Sequence, residues 1–154
     1  MDMPKKSKPY DRLLLMAVIS FIAMFVLMYA MVNSLADIYP NFNQVYMALL
    51  MTAAMVIVEM LLMGAMYGNK RLNGVIIAIS IVVMIFSWLS IQQQTAIGDK
   101  QFLKSMIPHH SSALLMCQNA SLQDPEIKAL CIKIISSQKA EINQMKAALE
   151  RLNK

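Results

Sequence analysis

Apolar side chains fill three long runs of this chain and then give way to a periodic pattern. Residues 13–32 and 45–67 are almost uninterrupted, the second broken by the single acid Glu59, and residues 74–91 form a third, shorter run. A helix needs about 20 consecutive apolar residues to cross a bilayer's hydrocarbon core, so each run predicts a transmembrane helix. Beyond residue 99 the pattern changes. Ile127, Leu130, Cys131, Ile134, Ile135, Gln138, Ile142, Met145, Leu149 and Leu152 recur at intervals of three and four, which marks one face of an amphipathic helix. Asp99 is placed to cap a helix running to about Ser121. Asp124-Pro125-Glu126 is a start signal for a second: the acid caps, the proline takes the first helical position and the glutamate sits near the positive end of the dipole. The predicted fold is all-α: three transmembrane helices (residues 13–91, after a basic tail 1–12), a linker (92–98), and an antiparallel helical hairpin (99–154).

Composition agrees, with 58% hydrophobic and 15% charged residues in 154. Lys5, Lys6, Lys8 and Arg12 precede the first run, which is too long for a signal-peptide core and is followed by further spans, so it reads as an uncleaved anchor. Lys and Arg in short loops are retained on the cytoplasmic side. The tail and the loop around Lys70-Arg71 carry cations, while the loop at residues 33–44 carries none, so the N-terminus is expected inside and the hairpin outside a bacterial inner membrane. Tyr10 and Tyr67 then mark the inner interface, and Tyr39, Tyr46 and Trp88 the outer one. The net charge of +5 is partly spent on this topology. The remaining cations alternate with acids along helical sequence as on a solvated face, so no nucleic-acid partner is expected.

The chemistry concentrates in the hairpin. His109 and His110 are the only 2 histidines, and they stand among Met106, Met116 and Cys117. Thioether sulfur and imidazole nitrogen together suit a soft monovalent ion such as copper(I), or silver, better than zinc or a hard cation. Folding the hairpin about Asp124 sets Cys117 opposite Cys131, His110 opposite Gln138, Met106 opposite Ile142 and Leu103 opposite Met145. Met106, His110 and Cys117 share a face, with His109 and Met116 along its edge. Pro108 either breaks the helix and frees the carbonyl of Lys104, or lies harmlessly in the first turn of a helix that starts near Ser105.

The string Phe102-Leu103-Lys104-Ser105-Met106-Ile107-Pro108-His109-His110, followed by Ala113, Met116, Gln138, Glu141-Ile142 and Met145, resembles the bacterial domain-of-unknown-function 305 family. The methionine-rich spans, Met47 to Met51 and Met60 to Met66, resemble its three-span subgroup. The resemblance implies ferritin-like helical packing, of which the hairpin is half a four-helix bundle, and CopM-like extracytoplasmic binding of copper or silver by Met106, His109, His110, Met116 and Met145. Gln138 and Glu141 are expected to orient the imidazoles, with Cys117 and Cys131 as a disulfide, buried thiols or further ligands. Because one hairpin buries little surface, self-association completing a bundle is expected, with copper-handling envelope proteins as further partners.

The expected role is metal buffering, resistance or handover, without catalysis. The ferritin-type Glu-x-x-His pair is missing, which argues against a ferroxidase, and nothing beside Cys117 and His110 supplies an orienting acid for a thiol nucleophile. Two other readings remain: a docking protein whose histidines are structural, and a transport subunit using Glu59. An acid deep in a span must find company. It sits in the series Met47, Met51, Met55, Glu59, Met63, either as part of a thioether track or as a protonated acid bonded to a neighbour such as Asn33, Thr52 or Ser80.

Overall fold

The computed structural model describes residues 9–154, in which the regular elements are helices: α1 (Pro9–Leu27), α2 (Phe42–Met63), α3 (Lys70–Gln93), α4 (Asp99–Asn119) and α5 (Pro125–Asn153). Lys5, Lys6 and Lys8 of the basic tail lie outside the described residues. Single 3-10 turns follow α1 at Met28–Met31, precede α2 at Leu35–Asp37 and follow α2 at Gly64–Met66. The chain divides into two compact units: Met1–Leu27 with Val45–Thr95, and Met28–Gln44 with Ala96–Lys154. The segment between α1 and α2 thus folds with the hairpin, a recruitment that the hydrophobic pattern did not announce.

Three helices are long and apolar enough to cross a membrane, Pro9–Met31, Phe42–Met66 and Lys70–Gln93, and most of each belongs to the first unit. The third is longer than its apolar run, at 24 residues. Asn69 accepts hydrogen bonds from the Arg71 and Leu72 N–H groups and so starts the helix before the run begins. Large apolar side chains point outward, among them Leu14, Ile19, Ile22, Leu61 and Val82. Small ones sit inside: Ala48, Ala53, Ser80, Ser87 and Ser90 are buried. Bulk outside and small residues at the contacts is the distribution suited to lipid as solvent, where close packing replaces the hydrophobic effect.

Glu59 does not pair with Asn33, Thr52 or Ser80. The 3-10 turn at Gly64–Met66 brings Tyr67 back over the end of α2, and its hydroxyl donates to Glu59 Oε1 at 3.1 Å. Tyr67 in turn packs on Tyr10, ring centroids 5.2 Å apart, and the Tyr10 hydroxyl donates to Asn73 Oδ1 at 2.8 Å. Thr52 meets a thioether instead, its hydroxyl 3.8 Å from Met24 Sδ. The acid therefore belongs to a cluster near the end of its helix.

In the second unit α4 and α5 form the antiparallel hairpin. Asp124 accepts from the Glu126 and Ile127 N–H groups with Pro125 in the first turn, as the start signal implied. At α4 the cap is Gly98 rather than Asp99, which lies within the first turn, and the helix ends at Asn119, short of Ser121. Because α4 starts at Asp99, Pro108 is interior, and the reading that placed it in a first turn is set aside. The core is Ile107, Leu114, Ile142 and Leu149, with Leu103, Ile135, Met145 and Tyr39 packed against it. Only the later half of the apolar face of α5 is covered. Ile127 and Leu130, close to the hairpin's turn, are exposed. At that tip Cys117 and Cys131 are joined as a disulfide, Cα atoms 5.3 Å apart.

Candidate metal centre

The site is built on a proline. Pro108 has no N–H to give the carbonyl four residues earlier, so Lys104 loses its helical partner inside α4. The side-chain amide of Asn41 donates to the Lys104 oxygen at 3.3 Å in its place. Asn41 is itself fixed and only 3% exposed: its amide also meets the Tyr39 carbonyl and Gln44 Oε1, and its Oδ1 accepts the Gln44 N–H. One turn beyond the proline, the fully buried Ser111 donates to Asp37 Oδ2 at 2.6 Å and accepts from the Asn33 N–H at 3.0 Å. Asp37, 5% exposed, pairs through its other oxygen with Lys146 of α5.

On a different side of α4 a pocket of about 320 Å³ opens against α5, lined by Met106, His110, Glu141 and Met145, with Phe102 and Leu103 at one end. His110 is 9% exposed. Its Nδ1 lies 2.9 Å from the Met106 carbonyl, an acceptor only, so Nδ1 carries a proton. Nε2 lies 2.8 Å from Glu141 Oε2. The Glu141 side chain is half exposed and free to swing outward, whereas the imidazole is held. The proton shared between Nε2 and Glu141 must leave with the carboxylate; with Nδ1 still donating to the Met106 carbonyl, Nε2 is then the ring nitrogen whose lone pair faces the pocket, the arrangement common to metal-ligating imidazoles.

The structure therefore brings together Met106, His110 and Met145 with Glu141. It leaves His109 and Met116 exposed and outside this pocket. Gln138, placed opposite His110 by simple counting, does not reach it, and its buried Oε1 has no hydrogen-bond partner. Side chains lean toward the N-terminus of their own helix. In an antiparallel pair that tilt shifts contacts to residues farther along α5, so His110 meets Glu141 and Met106 shares a pocket with Met145. Cys117 and Cys131 are consumed in their disulfide. Among the described residues, no three of His, Cys, Asp and Glu converge as a metal-binding group. Any ion held here would depend on thioether sulfur.

Residues 89–149 match the domain of unknown function DUF305. An uncharacterized protein of Acanthamoeba polyphaga mimivirus is 39% identical over 142 residues, covering 90% of this chain and 91% of its own length. The chain belongs to the DUF305 family. No solved structure matches it. The DUF305 match takes in the end of α3, all of α4 and most of α5, and so every residue of the pocket, but not Asp37 or Asn41. The similarity to the viral protein extends across the helices that precede the DUF305 region as well.

Asp37, Asn41, Ser111 and Lys146 are the residues of this neighbourhood that the sequence pattern did not single out. One signal was present. Asp37 is the lone charged residue between Arg12 and Glu59, in a segment otherwise free of charge. An isolated acid of that kind asks for a partner elsewhere in the chain.

Proposed function

We propose that this DUF305 protein is a membrane-anchored copper(I)-binding protein, able to take silver by similarity of ligand preference, that buffers the ion or passes it on. The observation that carries the reading is the meeting of two thioethers and a tautomer-fixed imidazole in one pocket, drawn from two helices. Met106 and Met145 supply soft sulfur, and His110 supplies Nε2. Glu141 acts as a gate that leaves Nε2 or turns to join the ion, and exposed His109 and Met116 offer a surface from which an ion is received or surrendered. The site has no nucleophile with an orienting partner, and its proposed role is binding rather than catalysis.

The charge distribution supports placing the hairpin on the side opposite Lys70 and Arg71, extracytoplasmic if the host membrane is a bacterial inner membrane. Methionine-rich neighbours there would be partners for handover. Exposed Met116, Ile127, Leu130 and Ile132 near the hairpin's tip also support association with a second copy or an envelope protein. The test is an anaerobic titration of the full-length protein in detergent with Cu(I) against a colorimetric chelator. His110→Ala and Met106→Leu should each weaken binding at least tenfold with helicity unchanged. Undiminished affinity in both would remove the metal reading in favour of a docking surface.

A further inference from the structure

We propose that the segment between α1 and α2 is a working part of the site, with Asn41 and Asp37 as positioning residues for His110. The inference builds on the metal reading but is argued from the contacts alone. Two hydrogen-bonded anchors hold α4 at Lys104 and Ser111, on either side of His110 in sequence. The first takes up the backbone carbonyl whose own bond the proline has removed, and the second holds a side chain one turn beyond, so they bracket the place where a helix bends most readily. Asp37 also reaches α5 through Lys146, so one carboxylate spans the two helices whose separation sets the distance between His110 and Met145. Binding geometries tolerate about 0.5 Å and 10–20° of misplacement. A helix pair free to hinge at Pro108 exceeds that, and the anchors prevent it.

Neither Asn41 nor Asp37 lines the pocket. Their effect is thus separable from loss of a ligand. The decisive comparison uses the full-length protein in detergent and reads the modification rates of His109 and His110 by diethyl pyrocarbonate, with no metal present. Exposed His109 serves as the internal reference. Asn41→Ala should raise the His110 rate at least threefold while leaving His109 unchanged. Pro108→Ala restores an N–H for the Lys104 carbonyl, so the double variant Asn41→Ala/Pro108→Ala should return His110 toward its original protection. Asp37→Asn, which keeps the shape but not the charge that pairs with Lys146, should show the same direction as Asn41→Ala. Cu(I) titration of the same variants should show about a tenfold loss for Asn41→Ala, in the range typical of groups that support a ligand from behind, and recovery in the double variant.

Unchanged His110 protection in both single variants, or failure of Pro108→Ala to rescue, overturns the proposal. If the parent protein does not bind Cu(I) but the protection pattern holds, the positioning stands and the metal reading falls.

Discussion

Asp37 shows how much one side chain can carry. Its carboxylate is nearly buried, accepts from Ser111 and pairs with Lys146, so each partner is needed to offset the cost of taking the charge out of water. Ser111→Ala removes a hydrogen bond to a charged acceptor and should cost about 2 kcal/mol in the unfolding of the hairpin unit, measured by chemical denaturation. Lys146→Met leaves the carboxylate without its cation and should cost about 3 kcal/mol. Asp37→Asn combined with Lys146→Met should recover part of that loss, since the two changes remove a pair and not one half of it. None of this was visible at Ser111, which reads as an ordinary polar residue in an amphipathic helix. The histidines and methionines, by contrast, stood out from composition alone, because soft ligands are rare enough to be conspicuous. What sequence could not supply was the tilt of side chains along α4 and α5, and so Gln138 rather than Glu141 was set opposite His110.

At the scale of elements, the punctuation of α5 was fully legible because Asp124 and Pro125 act locally. Replacing Asp124 by Ala should lower stability by about 1 kcal/mol, read as a fall in the denaturation midpoint. The start of α4 was less legible, since Gly98 offers no side chain and the helix begins where the backbone leaves two left-handed residues, Gln94 at φ 51° and Ala96 at φ 59°. An alanine there pays about 1 kcal/mol that glycine does not. Ala96→Gly should consequently raise the thermal midpoint slightly, provided the gain exceeds the added freedom of the unfolded chain. The disulfide closes the hairpin across 14 positions. In the chain-entropy description that loop is worth about 3 kcal/mol, so reductant should lower the melting temperature of the hairpin unit, and Cys117→Ser/Cys131→Ser should abolish the difference between oxidised and reduced samples.

For the molecule as a whole, three apolar helices and one hairpin were written plainly in the hydrophobic pattern, and the allegiance of residues 28–44 was not. Periodicity reports which face of an element is apolar. It does not report which distant segment will cover that face, and here the cover is a short stretch that joins the packing of Tyr39 to polar contacts from Asp37 and Asn41. The consequence is measurable. A fragment of residues 96–154 lacks Asp37 and Asn41, and it should show lower helicity and at least tenfold weaker Cu(I) uptake than the full chain. Adding a peptide of residues 28–44 should restore part of both.

Asp37 and Ser111 are 74 positions apart, and Lys146 lies later still. During synthesis the acid is made well before either partner exists. The three-way contact therefore waits until Lys146 has been added, and a chain that stops short of it holds all three apolar helices while its carboxylate still lacks its cation.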